Sequence, residues 1–168
     1  YVYAPGVKKI YLAAFYGCDS ITFVTSEHPK DNATEGVYLP LLEGKNIAVV
    51  ANQTSIFNNT HLIDTLISNN INLKKIFTPE HGFRGTADEG AIVNNSVDSK
   101  TQLPIISLYG KNKKPSSEQL SGIDVLLFDL QDVGTRFYTY ISTMTYIMEA
   151  AAENNIPVII LDRPNPNG

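Results

Sequence analysis

The chain has 168 residues, a formal net charge of −4 and an apolar fraction of 43%, values typical of one globular domain with a sizeable core. Its Lys and Arg residues are scattered, and a mildly acidic chain is repelled by phosphate backbones, so we expect no nucleic-acid partner. The single cysteine, Cys18, excludes an internal disulfide and a zinc site built from thiolates. Apolar packing must therefore hold the fold.

The N-terminal residues 1–20 have the order of an export signal, because Lys8-Lys9 precede the short apolar run Ile10–Tyr16. That run is far shorter than the roughly 20 residues that span a bilayer. The stretch Phe15–Cys18 resembles a degraded bacterial lipoprotein cleavage box, so we predict an exported protein, periplasmic or anchored to a membrane by lipid on Cys18. The alternative is that Val7–Tyr16 is a buried strand or short helix. Residues 21–42 show no periodicity and are predicted to be a polar linker.

From Glu43 onward, short apolar runs alternate with segments whose apolar residues recur at helical spacing. The predicted strands are Ile47–Ala51, Leu73–Phe77, Ile105–Leu108, Val125–Leu130 and Val158–Leu161, and the predicted helices are His61–Asn69, Ser117–Leu120 and Tyr140–Asn154. Strands that are apolar at nearly every position are buried on both faces, which alternating helices provide. We therefore predict an α/β domain over residues 43–168, with a Rossmann-like doubly wound, mostly parallel sheet and helices on both faces.

The last predicted helix has one apolar face for the sheet. Its residues at i, i+3, i+4 and i+7 spacing are Ile141, Met144, Thr145, Met148, Ala151 and Ala152. The two methionines in this set are predicted to fill the core and not to bind a cofactor.

Polar segments of unusual composition follow the predicted strands. In an open parallel sheet, ligands bind in the crevice outside the carboxyl ends of the strands. The segments at those ends are Asn52–Ser55, Pro79–Gly85, Asp129–Arg136 and Asp162–Pro166. Ordinary turn residues stand at the opposite ends, namely Asn69-Asn70, Ser121-Gly122 and Asn154-Asn155. We therefore expect function to be concentrated on one rim of the sheet.

Several chemistries common on this fold lack their motifs here. The sequence contains no G-x-G-x-x-G after the first strand, no G-x-x-x-x-G-K-[ST] and no G-x-S-x-G, so phosphate cradles and a nucleophile elbow are missing. A metal set would combine His81 with Asp88, Glu89 or Asp129, but no H-x-H or H-x-x-x-H spacing occurs. We expect no metal and no cofactor.

What remains on the rim is a supply of carboxylates, arginines and aromatic side chains. Carboxylates transfer protons, aromatic rings stack on a sugar, and arginines bind a carboxylate substituent. This combination is typical of enzymes that hydrolyse the glycosidic bond of an acidic sugar.

The longer motifs also resemble a known family. They are F-T-P-E-H-G-F-R-G (77–85), F-D-L-Q-D-V-G-T-R-F-Y-T-Y-I-S-T-M (128–144) and L-D-R-P-N-P-N-G (161–168), with N-Q-T-S (52–55) and S-L-Y-G (107–110). Together they resemble the NamZ-type exo-β-N-acetylmuramidases. The resemblance implies a Rossmann-like N-terminal catalytic domain, with the family's smaller C-terminal domain outside this chain. It also implies a glycosidase that releases terminal N-acetylmuramic acid from the non-reducing end of peptidoglycan fragments, so peptidoglycan-derived saccharides are the expected partners.

The resemblance supplies candidate catalytic residues. The family's P-E-H-G glutamate falls on Glu80, which is our candidate general acid, with capping of the following loop as the alternative. His81 either orients Glu80, binds substrate or stabilises the loop. Asp129 and Asp132 either activate water or hold their loop, and at least one of them is expected to be structural.

The candidate substrate-binding residues surround this set. Arg84 and Arg136 are expected to bind the lactyl carboxylate of muramic acid, unless they only pair with Asp132 or Asp129. Tyr138 and Tyr140 stand at the start of the last predicted helix, where one is expected to face the cleft while the other packs against the protein. Asn52 and Gln53 either bind sugar hydroxyls or form a helix-capping loop. The remaining candidates on the rim are Tyr138, Tyr140, Asp162, Arg163 and Asn165.

Two other classes of function remain open from the sequence. A sugar-binding module would bind muropeptides without releasing a sugar. A nucleotide-sugar or NAD-dependent enzyme is disfavoured by the missing glycines, and added nucleotide would raise its melting temperature.

Overall fold

The computed structural model describes residues 7–8, 21–25, 35–57, 59–79, 83, 96–135 and 138–162. Its helices are α1 (Glu35–Leu42), α2 (Leu62–Ser68), α3 (Ser117–Leu120) and α4 (Tyr140–Glu153). Its strands are β1 (Val7–Lys8), β2 (Ile21–Thr25), β3 (Ile47–Ala51), β4 (Ile56–Phe57), β5 (Thr60–His61), β6 (Leu73–Thr78), β7 (Ser96–Val97), β8 (Pro104–Ser107), β9 (Val125–Asp129) and β10 (Val158–Asp162). None of the described helices is both long and apolar enough to cross a membrane.

One sheet organises the domain, with the strand order β1-β2-β10-β9-β3-β6-β8-β7. Its six inner strands, from β2 to β8 across the sheet, pair in parallel, and the edge strands β1 and β7 pair antiparallel. If β3 is counted as the first strand, the order β8-β6-β3-β9-β10 is the 3-2-1-4-5 arrangement of a Rossmann fold. The predicted doubly wound, mostly parallel sheet is confirmed.

Alternate residues of the central strands face two separate cores. Ala48 and Val50 of β3 pack in one core with residues of α3 and α4, such as Leu120 and Ile147. Ile47, Val49 and Ala51 pack in the other core with residues of α1 and α2. All five residues of β3 are fully buried, because helices cover both faces of the sheet.

The predicted strands and helices from residue 47 onward are confirmed, with ends that match the predicted ones or differ by one residue. The helix α2 begins at Leu62 because His61 is its N-cap. The two-stranded hairpin β4–β5, between β3 and α2, was not predicted. Its strands are too short to produce a periodic pattern in the sequence.

The prediction of a polar linker over residues 21–42 is wrong. Strand β2 lies inside the sheet, where all five of its residues pair in parallel with β10, and Glu35–Leu42 forms helix α1. Strand β2 escaped detection because two of its five residues are threonines, so its apolar run is interrupted. The helix escaped detection because Pro40 lies inside it, and proline normally indicates a helix end. The predicted export signal and the lipid on Cys18 concern residues of which only Val7–Lys8 is described, so both remain predictions.

The apolar face predicted for α4 is partly wrong. Met148 is buried and Met144 packs against the same core, as predicted, but Ile141 is 53% exposed. The buried side of the helix instead includes Tyr140, Thr143 and Ile147. Tyr140 and Thr143 carry hydroxyl groups, so the sequence does not mark them as buried. The Tyr140 hydroxyl has a buried partner in Asn52, which is distant in the chain.

Two of the helices end in the same way at the rim formed by the amino ends of the strands. In each, an asparagine with positive φ follows the C-cap, Asn70 at 57° and Asn155 at 55°. The next residue, Ile71 or Ile156, donates its N–H to a carbonyl in the last helical turn and is buried. These bonds form the Schellman motif. The repeated sequence Asn-Asn-Ile therefore stops the chain and turns it into the next strand.

The burial of β2 predicts that Val24→Ala lowers the free energy of unfolding by about 2 kcal/mol, because a side chain that is 1% exposed loses two buried methyl groups. The matched control is Val97→Ala on the edge strand β7, where the side chain is 57% exposed and the change should stay within about 0.5 kcal/mol. Urea denaturation measures both. Equal, small changes would mean that β2 does not belong to the folded core.

Candidate functional site

The crevice of the sheet lies where the chain reverses its direction of travel across the strands. From β3 the chain continues to β6 on one side, whereas from β9 it continues to β10 on the other. Ala51 at the end of β3 pairs with Asp129 at the end of β9. The loops that leave these two residues diverge, which opens a crevice at their carboxyl ends. All four polar segments singled out in the sequence follow strands that end on this rim.

Asn52, the first residue after β3, joins the two loops of the crevice. Its Nδ2 donates to the Tyr140 hydroxyl at 3.0 Å, and its Oδ1 accepts from the Thr54 N–H and hydroxyl at 2.9 and 2.7 Å. Asn52 is fully buried. Its carboxamide is therefore engaged within the protein, and this geometry favours the loop-forming alternative over direct contact with a sugar.

Ser55 makes a second connection between the same two loops. Its hydroxyl donates to the Asp129 carbonyl at 2.7 Å and accepts from the Asn52 N–H at 3.2 Å. Asp129 is only 6% exposed, so a carboxyl group lies buried at the floor of the crevice. Burying a carboxyl group is costly without partners, which makes Asp129 a residue with a defined structural or chemical purpose.

His61 supports the loop after β3 from the other side. Its Nδ1 accepts the N–H of Ile63 at 3.2 Å, which caps α2, and its Nε2 lies 2.9 Å from the carbonyl of Asn52. Because Nδ1 accepts, Nε2 carries the proton and donates to that carbonyl. The ring also meets Phe83 edge to face, with centroids 4.7 Å apart and planes at 72°. His61 thus connects the N-Q-T-S loop with the P-E-H-G-F-R-G segment.

Sequence reasoning missed the part played by Ser55 and His61. The signal for His61 was present, because a polar residue directly before an apolar helical run is a candidate N-cap. Its contact with Phe83, which lies 22 positions further along the chain, could not be read from the sequence. The cap also occupies the start of α2, so the position that holds a phosphate in nucleotide-binding relatives of this fold is closed by a side chain.

Tyr138, in the loop after β9, and Tyr140, the first residue of α4, differ in exposure. Tyr140 is 8% exposed and packs in the core beneath Asn52, whereas Tyr138 is 50% exposed. Their rings are tilted by 52° with centroids 5.8 Å apart. Tyr138 is therefore the aromatic side chain that the described loop presents to solvent, and Tyr140 supports it.

Two side-chain oxygens near the crevice are buried without a hydrogen-bond partner among the described residues. They are Oε1 of Gln53, in the loop after β3, and Oγ1 of Thr135, in the loop after β9. An unpaired buried polar atom costs about 1–3 kcal/mol. Gln53 was a candidate from the sequence. Thr135 was missed, because a threonine inside a polar loop carries no distinguishing pattern.

The remaining acidic candidates on the rim are exposed. Asp132 accepts the N–H of Gly134 at 3.0 Å, a turn that holds the loop after β9. Asp162 ends β10 at the same rim. Because Asp132 shapes its own loop, its geometry favours the structural alternative for this residue.

The other predicted site residues lie outside the described residues, and their roles remain predictions. They are Glu80, His81, Arg84, Arg136, Arg163 and Asn165. The chain is described on both sides of the first two, at Pro79 and Phe83, which are both buried. Among the residues that the structure describes, no group of three or more His, Cys, Asp or Glu side chains is arranged to hold a metal ion.

The bond between Asn52 and Tyr140 predicts that Tyr140→Phe lowers the free energy of unfolding by about 1–3 kcal/mol, because the Asn52 amide loses a buried acceptor. Tyr138→Phe removes the same hydroxyl group from a side chain that is half exposed and should change stability by less than about 0.5 kcal/mol. Chemical denaturation of the two variants checks the difference. A Tyr140→Phe variant as stable as the unmodified chain would show that the buried bond is not a support of the crevice.

The chain is similar in sequence and in structure to several known proteins. The chain is 49% identical over 152 residues to the peptidoglycan β-N-acetylmuramidase NamZ of Bacillus subtilis (strain 168), a match that covers 86% of this chain and 36% of that protein. Two crystal structures of DUF1343 family proteins from Bacteroides fragilis NCTC 9343 are 47% and 46% identical, with TM-scores of 0.70 and 0.68. Each comparison with these structures covers 79% of this chain and 33% of the other.

The chain thus spans about a third of the length of the relatives that it matches. The family model described as the N-terminal part of the exo-β-N-acetylmuramidase NamZ matches residues 47–168, which include β3 and every later element. Those residues contain the whole crevice between β3 and β9. The chain belongs to the NamZ exo-β-N-acetylmuramidase family.

Proposed function

We propose that the chain is the catalytic domain of an exo-acting β-N-acetylmuramidase, which releases terminal N-acetylmuramic acid from the non-reducing end of peptidoglycan fragments. The observation that carries this proposal is the convergence of three family motifs on one crevice. The N-Q-T-S motif contacts the motif 128–144 through the bonds from Asn52 to Tyr140 and from Ser55 to Asp129. The motif P-E-H-G-F-R-G is represented by Phe83, which packs against His61. Family membership at 49% identity supports the same activity.

Glu80 is the proposed general acid, which protonates the oxygen of the leaving sugar. It follows Pro79 at the carboxyl end of β6, the strand next to β3. A glycosidase needs a second carboxylate for water or for the anomeric carbon. Asp129 is the proposed partner, because it is buried and ends β9, the strand on the other side of β3 from β6.

The lactyl carboxylate of muramic acid requires a positive environment. Helix α4 begins at this rim with its N-terminus, the positive end of its dipole, and its N-cap Thr139 makes no side-chain cap hydrogen bond. Arg136 lies three residues before that N-cap, and Arg84 follows Phe83 directly. We propose that these two arginines bind the carboxylate.

The sugar ring itself needs an apolar surface and hydroxyl partners. Tyr138 is the proposed stacking surface, because it is half exposed and supported by Tyr140. Gln53 and Thr135 are the proposed hydroxyl partners, because they lie in the loops after β3 and β9 and their side chains would turn outward to meet a bound sugar. Hydrogen bonds to hydroxyls that strengthen in the transition state contribute to glycosidase catalysis.

The geometry disfavours a nucleotide at this position. A dinucleotide-binding Rossmann domain leaves the start of the helix after its first strand open to pyrophosphate. Here that helix is α2, whose start is occupied by the His61 side chain and preceded by the hairpin β4–β5. The start of α2 therefore offers no open position for a pyrophosphate.

Glu80→Gln should lower kcat by about 10²- to 10⁴-fold with little change in KM, because glutamine cannot donate the proton. The assay joins this chain to the C-terminal region of the Bacillus subtilis relative and follows release of N-acetylmuramic acid from a chromogenic β-N-acetylmuraminide. Glu43→Gln is the matched control, since Glu43 is exposed and precedes β3 on the opposite rim.

The proposed activity fails if the joined wild-type protein binds muropeptides and releases no sugar. In that case the crevice is a recognition site without turnover. Release that persists undiminished in the Glu80→Gln variant would instead retain the activity and remove Glu80 from the chemistry.

Arg84→Ala and Arg136→Ala should each raise KM for the muraminide by about 10- to 100-fold, because each loses a charge-assisted hydrogen bond to the lactyl carboxylate. Slow turnover of the corresponding N-acetylglucosaminide, which lacks that carboxylate, should be nearly unaffected. Arg136→Lys is an informative control, because it keeps the charge but not the bidentate geometry. Equal losses on both substrates, with reduced stability, would assign the arginines to pairs within the protein.

A further inference from the structure

We propose that Tyr109, in the turn after β8, is the stacking surface of a second sugar-binding subsite. This subsite holds the N-acetylglucosamine that follows the terminal muramic acid and departs with the rest of the fragment. The inference rests on the proposed function for the identity of the two sugars. It gives a purpose to the S-L-Y-G motif (107–110), which the crevice between β3 and β9 does not include.

Two aromatic side chains stand out by their exposure. Of the large hydrophobic side chains exposed in the described part of the chain, the aromatic ones are Tyr109, at 39%, and Tyr138, at 50%. Tyr109 follows β8 and Tyr138 follows β9, and both strands end on the carboxyl rim, where ligands of this fold bind. A tyrosine combines an apolar ring with a polar hydroxyl, which suits a sugar with apolar ring faces and hydroxyls at its edge.

The register of the sheet sets the height at which Tyr109 stands. Ser107, the last residue of β8, pairs with Thr78, the last residue of β6, and Phe77 pairs with Val50. Strands β6 and β3 each end one residue further, so β8, β6 and β3 end level with one another. The last residue of β9 pairs with the last residue of β3, so β9 ends at the same level. Tyr109 stands two residues beyond this common end and therefore belongs to the rim and not to the sheet.

The two exposed tyrosines follow strands on opposite sides of the crevice. In the sheet, β3 and β6 lie between β9 and β8. Neighbouring strands are about 4.8 Å apart, so the ends of β8 and β9 are separated by roughly 14 Å. A single pyranose ring is shorter than this span. A muramic acid that stacks on Tyr138 therefore does not reach the end of β8, and Tyr109 is placed to meet the next sugar.

The turn that carries Tyr109 is fixed by hydrogen bonds. The N–H of the preceding residue, Leu108, donates to the Thr78 carbonyl at 2.8 Å, which extends the pairing of β8 with β6 up to the tyrosine. The side chain of Asn112 donates to the carbonyl of the last residue of β8 at 2.9 Å, which closes the turn. Gly110 has a φ of 69°, a conformation that glycine adopts without strain. A preorganised surface loses little freedom on binding, so stacking on it appears as affinity.

The binding test compares a one-sugar ligand with a two-sugar ligand. The ligands are N-acetylmuramic acid and its thio-linked disaccharide with N-acetylglucosamine, whose sulfur linkage resists hydrolysis. The protein is this chain joined to the C-terminal region of the Bacillus subtilis relative, and calorimetric titration gives each Kd. Tyr109→Leu should weaken the disaccharide about three- to tenfold and leave the single sugar within about twofold, because it removes one stacking contact. Tyr109→Phe keeps the ring and should bind both ligands within about twofold of wild type.

Two further substitutions serve as controls. Tyr138→Leu should weaken both ligands by a similar factor, because its ring is the proposed surface for the muramic acid that both contain. Tyr146→Leu should change neither affinity, because Tyr146 is partly buried nearly two turns into α4.

A fluorescent probe at the same position tests the subsite without removing the ring. The chain contains no tryptophan, so Tyr109→Trp introduces the only one in this part of the protein. Its emission, measured as the difference from the parent protein, should change with the disaccharide and not with the single sugar. This variant retains an aromatic surface, so it also decides the matter where Tyr109→Leu lowers the melting temperature.

The second subsite is overturned if wild type does not bind the disaccharide, or if Tyr109→Leu weakens both ligands equally or neither of them. A tryptophan emission that responds to both ligands alike overturns it too. The proposed function fails separately. A protein that binds the disaccharide through Tyr109 and releases no sugar keeps the subsite and loses the enzymatic activity, whereas one that releases muramic acid while Tyr109→Leu binds normally keeps the activity and loses the subsite.

Discussion

The buried carboxamide of Asn52 is the constraint on which the rest of the crevice depends. It stands directly after the central strand and binds Tyr140 of one loop and Thr54 of the other, while its carbonyl accepts from His61. In a low-dielectric interior a polar group must be fully paired, and a paired group then fixes all of its partners at once. The loop after β3, the start of α4 and the start of α2 are therefore set by one residue.

This arrangement explains how a Rossmann strand order can serve a different chemistry. The usual nucleotide site needs glycines and an open helix start so that main-chain N–H groups can point at phosphates. Here side chains accept those N–H groups: the amide of Ile63 is taken by His61 and that of Thr54 by Asn52. The crevice is left with a buried carboxyl at Asp129 and the exposed ring of Tyr138. The amides of Ile63 and Thr54 are thus used within the protein and not left for a phosphate.

The two rims of the sheet divide stability from function. At the amino ends of the strands, the Asn46 side chain accepts from Asn72 and its main-chain N–H donates to the carboxylate of Asp124. Helices α2 and α4 end there at asparagines with positive φ. At the carboxyl ends, the polar atoms serve the crevice, and the exposed or unpaired groups Tyr138, Gln53 Oε1 and Thr135 Oγ1 of the described residues are found there. Well-paired turns at the amino ends stabilise the domain, and this offsets the destabilising exposed or unpaired groups at the carboxyl ends.

The fold class and the rim of the site followed from the sequence, because buried parallel strands are continuous apolar runs and polar residues directly after them must lie at one edge. Local signals also predicted the ends of α2 and α4 closely, since the turn residues Asn69-Asn70 and Asn154-Asn155 follow them. Strand β2 and helix α1 were missed, because their burial depends on partners distant in the chain, such as β10. The inward side of α4 was misread for the same reason: Tyr140 faces inward because Asn52, 88 positions away, supplies its polar partner. The sequence by itself determined which residues stand at the rim, since that follows from local periodicity. Only the tertiary structure decided which of them are supports and which are exposed, because hydrogen-bond partners and burial are set by contacts between segments far apart in the chain.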